Sequence, residues 1–245
     1  MVSFAAEPVF RLGFFQVTNT ILDTLLVDGI IIAASIYVKK HMQLIPGIFQ
    51  NLMEMVIDTF YNLVDSIAGE RAAKIFPYFM SFFLFILIAN WTALLPGFNV
   101  LGIKEHGGLV PLLRGATSDV NVTFGLAIIS IVATHIFSIK TIGIREYLSR
   151  YLSLNPVFLF IGILEIISEF TKIVSLGFRL FGNIFAGEIV LGTVSGLFAI
   201  VAPLPFLMLE VIVGFVQALV FAMLTLTFMT ILSTPHHEEA KEVSH

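Results

Sequence analysis

Apolar positions in this chain fall into long blocks separated by short polar or basic breaks. Residues 19–38 form the first block, closed by Lys39, Lys40 and His41. Its length suits one bilayer crossing of about twenty residues. Asp23 and Asp28 interrupt it, and both are expected near the end of the span that faces water. The block at 45–68 has a different texture. Ile45, Ile48, Phe49, Leu52, Met53, Val56, Ile57, Phe60, Leu63, Val64 and Ile67 recur at helical spacing, with Gln50, Asn51, Glu54, Asp58, Asn62 and Asp65 between them. That alternation predicts an amphipathic helix along the membrane surface. Its polar face is acidic, whereas interfacial helices more often carry a basic one, so protein contact on that face is expected. Gly69, Glu70, Arg71 and Lys74 end it.

Two clearer spans follow, at 76–95 and 120–139, and the Gly-rich stretch 97–118 between them reads as a loop. Lys140, Arg145 and Arg150 mark a basic connection. A long apolar stretch then covers 156–201, Pro203 and Pro205 break it, and a last span covers 206–232. The tail, 235–245, is polar.

Composition fixes the solvent. Hydrophobic residues make up 58% of the chain and charged residues 12%, where a soluble domain carries about twice that charged fraction. The pattern therefore predicts an all-α membrane protein in a single membrane domain, 1–245, with five transmembrane helices and one amphipathic surface helix. Met1 to Pro8 lack the basic region and cleavage site of a signal peptide, so the first span is expected to stay in the mature protein. With no cysteine there is no disulfide framework or thiolate metal site. A net charge of -4 without a long basic run argues against nucleic acid. Lys39/Lys40, Arg71/Lys74, Lys140/Arg145/Arg150 and Lys241 would share one side if 45–68 does not cross, and the positive-inside rule makes that side cytoplasmic. The N-terminus is then outside and the C-terminus cytoplasmic, with Arg11, Lys104 and Arg114 left on the outer side.

The 156–201 stretch is too long and too polar for an ordinary anchor. If wholly helical it measures roughly 70 Å, so it must tilt strongly, bend, or start outside the hydrocarbon core. Glu165, Glu169, Lys172, Ser175, Arg179 and Asn183 follow at three- or four-residue steps and so share one stripe of a helix. Glu169 and Lys172 stand at i and i+3, where a local ion pair is the plain alternative to a pathway. Arg179 has no acid three or four residues away. A charge at mid-bilayer costs about 2.5–3.5 kcal/mol on insertion scales, so its counter-charge must come from another helix or another chain. Glu188, nine residues on, points to the opposite side. The last span adds Glu210 and Gln217 on one face. A hairpin turning near 198–203 sets Glu188 opposite Glu210 and Arg179 opposite Gln217. Two acids in one low-dielectric layer titrate as a coupled pair and can relay protons. Gly177, Gly182, Ala186 and Gly187 thin the helix around Arg179, where a partner helix is expected to cross.

The run Ser175-Leu176-Gly177-Phe178-Arg179-Leu180-Phe181-Gly182-Asn183-Ile184-Phe185-Ala186-Gly187-Glu188 closely resembles the signature of the subunit a family of F-type ATP synthases. Gln217-Ala218-Leu219-Val220-Phe221 is similar to that family's second signature, and residues 117–123 to a third, weaker one. Asn90-Trp91 to Pro96-Gly97 also fits. The resemblance implies a stator subunit of the F0 membrane sector in a bacterial inner membrane, its last two helices forming a long tilted hairpin against a rotor ring of c subunits. It implies further contacts with the b-subunit peripheral stalk, the other subunits of the complex and the lipid bilayer, with no catalytic site and no cofactor of its own. Arg179 would attract the carboxylate of each c subunit and block a proton short circuit between two offset half-channels. The outer half-channel would use Glu188, Glu210, Asn183 and Gln217, with Asp119 near its mouth. The cytoplasmic half-channel would use Ser175, Glu165, Glu169 and Lys172. The family often has a histidine where this chain holds one of its two glutamates, Glu188 and Glu210.

Two other classes compete. A self-contained secondary transporter would hold its ion site between internal repeats, and the chain has no internal repeat. An intramembrane hydrolase would need a Ser/His dyad or paired aspartates inside spans, and His135, the one histidine within a span, has no obvious serine partner. His135 is expected to be a packed or hydrogen-bonded core residue. His236 and His237 make a poor metal site, and no metal is assigned.

Overall fold

The computed structural model of the chain describes residues 8–12, 15–43, 46–95, 102–105, 108–111, 114–151, 156–197 and 203–234. A short antiparallel hairpin, β1 (Pro8–Leu12) and β2 (Phe15–Thr18), leads directly into α1 (Asn19–His41). Then come α2 (Ile48–Ala68), a single tight turn at Gly69–Arg71, and α3 (Ala72–Ala93). A second hairpin, β3 (Gly102–Glu105) and β4 (Gly108–Pro111), precedes a turn at Ala116–Ser118 and α4 (Val120–Ile142). The short α5 (Ile144–Tyr151) connects to the two longest helices, α6 (Pro156–Leu197) and α7 (Pro203–Ser233).

Among the described residues, five helical stretches are long and apolar enough to cross a bilayer: Asn19–His41, Ile48–Ala93, Val120–Ile142, Phe160–Gly196 and Pro203–Ser233. The second contains α2 and α3, joined where Gly69 takes a φ of 52° and donates its amide to Asp65 O. A positive φ there favours glycine, and it separates the amphipathic helix from the crossing one. The expected all-α membrane architecture is therefore present, with α2 as the amphipathic helix. Its Phe60, Leu63, Val64 and Ile67 pack on the core, while Asp58 and Asp65 stay exposed.

Local details differ from the sequence pattern in three places. The 97–118 stretch is not all loop: β3 pairs with β4 from Gly102↔Pro111 to Glu105↔Gly108, because unpaired backbone groups gain by pairing even in a Gly-rich segment. The basic connection after α4 contains α5, whose Ile144, Tyr147, Leu148 and Tyr151 repeat at helical spacing beneath the charges. Pro203 and Pro205 open α7 as well as ending the previous stretch, since the first-turn amides lack intrahelical partners and a proline loses nothing there. Residues 198–202, where the hairpin was expected to turn, and 235–245, with His236 and His237, lie outside the described residues, as do the side chains of Arg11 and Lys104.

The core is shared by α2, α3, α4, α6 and α7, with Phe79, Ile86, Leu180, Phe221, Leu226 and Met229 fully enclosed. Lipid is as apolar as these side chains, so packing and interhelical hydrogen bonds hold the spans together. Ser130 Oγ and Thr225 Oγ1 lie 2.7 Å apart, Ser138 donates to Leu232 O at 2.6 Å, and Asn90 Nδ2 donates to Gly214 O at 3.0 Å. Gly214 makes the last bond possible, because a Cβ there would stand 3.1 Å from Asn90 Cβ. Replacing Asn90 with leucine removes this hydrogen bond between α3 and α7. A loss of about 0.5–2 kcal/mol is expected, visible as a lower melting temperature of the detergent-solubilised protein.

Candidate functional site

The polar stripe of α6 divides between two directions. Glu169 is buried and turned toward α4, where its Oε1 accepts from Lys172 Nζ at 2.8 Å and its Oε2 stands 3.7 Å from His135 Nε2. The local Glu169–Lys172 pair is therefore formed, and the Lys172 ammonium also lies 4.8 Å above the Phe228 ring. His135 is half-buried, and its Nδ1 is 2.9 Å from the Tyr147 hydroxyl. It is a hydrogen-bonded structural histidine, as its isolation in an apolar span suggested. Glu165, one turn before Glu169, is half-buried and electrostatically close to His135.

Ser175 and Arg179 point the other way and are exposed. The hydrogen bond of Arg179 runs from Nη2 to Ser175 Oγ at 3.4 Å, one turn back along the same helix. Among the described residues no carboxylate lies within ion-pair reach of its guanidinium. An open groove of about 410 Å³ runs along this face, with Ser168, Thr171, Lys172, Ser175 and Arg179 of α6 on one wall and Leu224 and Phe228 of α7 on the other. Ser168 and Thr171 were absent from the sequence reading. Their signal was present, since Ser168, Thr171 and Ser175 stand at i, i+3 and i+7, but hydroxyls in a span also bond their own backbone, as Thr171 does to Ile167 O.

Between α6 and α7 the expected polar layers form with one change of register. Glu210 is buried against the α-carbon of Gly187, and Glu188 is its electrostatic neighbour. The two glutamates are thus brought together. The carboxamide of Gln217, however, is taken by Asn183, whose Nδ2 donates to Gln217 Oε1 at 2.7 Å. Arg179, expected opposite Gln217, lies one helical turn from that bond and faces outward. Residue-for-residue pairing assumes side chains perpendicular to the axis. In helices they lean toward the N-terminus and occupy a 3.6-residue grid, which favours Asn183 at this level.

The small residues of α6 also separate. Gly177 faces the Phe124 ring of α4, where a Cβ would sit 2.9 Å from the nearest ring carbon, and Gly187 faces Glu210. Both serve contacts inside the chain. Gly182, with open space beyond its α-carbon, and Ala186 remain on the exposed face beside Arg179.

The far end of the hairpin meets a wall built by residues 114–119. Glu188 lies near Ser118 and Arg114, and Arg114 Nε donates to Ser118 Oγ at 3.3 Å. Arg114 is buried here and is not a free surface charge. Asp119 caps α4, accepting from Asn121 N at 2.9 Å, and its other oxygen accepts from Thr20 Oγ1 at 3.1 Å. The expectation that Asp23 sits close to water is not met. Asp23 is fully buried and accepts from Ala116 N at 2.7 Å, because the first turns of α1 pack under this wall; Asp28, one and a half turns on, is exposed. Sequence reasoning placed Arg114 only as an outer-side charge and assigned neither it nor Ser118 to the surroundings of Glu188. The short side chains of Gly115-Ala116-Thr117-Ser118, all buried, were the available sign of a segment packed against spans.

The arrangement offers two chemistries. A pair of carboxylates, Glu210 buried and Glu188 half-buried, backed by a guanidinium and a hydroxyl, can hold and pass protons. A lone exposed guanidinium on a membrane-level helix face can attract an anionic group presented from outside the chain.

Comparison with known proteins bears on which chemistry belongs here. The profile of the ATP synthase A chain family matches residues 21–230. The chain is 35% identical over 214 residues to "ATP synthase subunit a" of Geotalea daltonii, covering 86% of each chain. It is 30% identical over 221 residues to the protein of that name from Moorella thermoacetica, covering 90% of this chain and 93% of the relative. Against "ATP synthase subunit a 2" of Pelobacter propionicus it is 32% identical over 226 residues, 91% and 90% of the two chains. The match spans both polar layers, the groove and the wall, and the chain belongs to the ATP synthase A chain family.

Proposed function

We propose that this chain is the stator subunit of the F0 sector of an ATP synthase, carrying protons between two offset half-channels and a rotor ring of c subunits. The observation that supports this best is the setting of Arg179, exposed at membrane level beside Gly182 and Ala186 and without a carboxylate in ion-pair reach among the described residues. A rotor carboxylate arriving at this face supplies the missing charge. Because Arg179 favours the ionised form, the carboxylate must lose its proton before passing and regain one after.

Glu188, Glu210, Asn183 and Gln217 line the outer half-channel, with Asp119 at its mouth and Arg114 and Ser118 supporting Glu188. Ser175, Lys172, Glu169 and Glu165 belong to the cytoplasmic half-channel, joined by Ser168 and Thr171 in the groove. The subunit has no catalytic site of its own and works within the complex, against the c-ring and the b-subunit stalk. The basic residues after α1 and α4 support a topology with the C-terminus on the cytoplasmic side of a bacterial inner membrane and the N-terminus outside.

Proton flux in liposomes separates this reading from a secondary transporter. The chain reconstituted alone is expected to conduct no more than the lipid leak, and the assembled complex to pump when given ATP. Robust substrate-coupled transport by the chain alone would sink the stator reading.

A further inference from the structure

Two hollows meet at the Glu169–Lys172 ion pair. One is the groove that ends at Arg179 and has Lys172 in its wall. The other, about 300 Å³, lies between α4, α5 and α6, and is lined by His135, Tyr147, Leu148, Tyr151, Ile166 and Glu169. Lys172 lines the first and Glu169 the second, and their 2.8 Å bond joins the two walls.

Two buried polar atoms at this second hollow, Tyr151 Oη and Glu169 Oε2, have no hydrogen-bond partner among the described residues. Buried polar groups are normally paired with protein or with ordered water. The hollow has room for several waters at about 30 Å³ each. Its depth also suits water. Glu169 is ten residues, roughly 15 Å of helix, from Arg179, so with Arg179 at mid-bilayer it reaches the edge of a hydrocarbon layer about 30 Å thick. The exposed Lys140, which follows His135 on α4, agrees with that level. Gly162 brings α5 onto α6 by leaving space for the Tyr151 backbone carbonyl, and this holds Tyr151 over the hollow. Burial pushes the Tyr151 hydroxyl above its ordinary range, so it remains a donor.

We propose that this hollow is a lateral, water-filled branch through which protons enter or leave the Arg179 groove, with Glu169 passing the proton and His135 and Tyr147 positioning it. The inference rests on the reading of the groove as a half-channel and adds its entrance. A hydronium in the hollow gives a proton to Glu169 Oε2 and becomes water. Neutralising the carboxylate weakens the Lys172 contact at Oε1, and Glu169 then gives the proton to a water in the groove. The carboxylate and its ion pair are restored. In the opposite direction the same transfers run in reverse.

The chain has no cysteine, which makes a thiol probe specific. Ile166 is exposed and lines the hollow, so Ile166→Cys leaves the core intact. In the assembled complex, a small cationic methanethiosulfonate is expected to modify that cysteine and lower ATP-driven proton pumping at least about tenfold, as Glu169→Gln should without reagent. His135→Gln, which can still bond Tyr147, is expected to keep pumping that His135→Phe loses. A cysteine that stays unmodified, or is fully modified with pumping unchanged, overturns the lateral branch, as does normal pumping by Glu169→Gln. If Arg179→Ala stops pumping while the modified Ile166→Cys complex pumps normally, only the branch is wrong. If Arg179→Ala itself pumps normally, the half-channel reading beneath it has failed.

Discussion

Replacing Arg179 with alanine is expected to abolish ATP-driven proton pumping while leaving the complex assembled. The two halves of that outcome have separate physical causes. Stability should survive because the guanidinium is exposed and its hydrogen bond, at 3.4 Å to Ser175, is long and local. Its loss leaves no buried partner unsatisfied, and removing a charge from mid-bilayer relieves a cost of about 2.5–3.5 kcal/mol. Function should fail because an unpaired cation is what makes this face attractive to an ionised carboxylate. At about 4 Å and an effective dielectric near 20, that attraction is about 4 kcal/mol, so a fall of at least about a hundredfold is expected. Acidification of vesicles, read beside a native gel of the complex, checks both halves. Exchanging Arg179 and Gln217 should be milder than Arg179→Ala, since it returns a guanidinium to the same hairpin beside Asn183. Normal pumping by Arg179→Ala would refute the role.

Much of this was legible in the chain because membrane-level constraints are blunt. A span needs about twenty apolar residues, and a charge inside one needs a reason. Those two rules locate α1, α3, α4, α6 and α7 within a few residues and isolate Arg179, Glu188 and Glu210. They say nothing about azimuth within a bundle. Glu169 and Arg179 share a stripe by spacing, yet one is buried against α4 and the other exposed, because α4 packs along only one edge of the stripe. The Asn183–Gln217 bond was missed for the same reason: depth alone pairs Arg179 with Gln217, and the rotation of α6 selects Asn183. Short polar segments were the least readable. Residues 114–119 resemble a surface turn in composition, but α1, α3 and α6 close over them, so that Arg114, Ser118 and Asp119 become an inner wall. The two hairpins carry too few residues to display a period, and α5 was hidden by its basic residues.

Gly187 is where packing and chemistry meet most closely, and Gly187→Ala is expected to lower proton pumping strongly with little effect on the fold. The added methyl would occupy the space now filled by the Glu210 carboxyl group. The obstructing atoms are the far end of a flexible side chain, so α6 and α7 need not separate; the carboxyl group swings away instead. That motion takes Glu210 from Glu188, its electrostatic neighbour. A misplacement of roughly 1 Å at a reacting group can cost about a hundredfold, and a loss of about tenfold or more is expected here. Glu210→Asp alone should also be impaired, because its shorter stem withdraws the carboxylate from the layer. Combining Gly187→Ala with Glu210→Asp makes room for the methyl and is expected to recover part of the activity that Gly187→Ala loses. Pumping rates of the two single variants and the double variant, each checked for assembly, decide it. Simple addition of the two losses would mean that the methyl acts through helix packing and not through the position of Glu210.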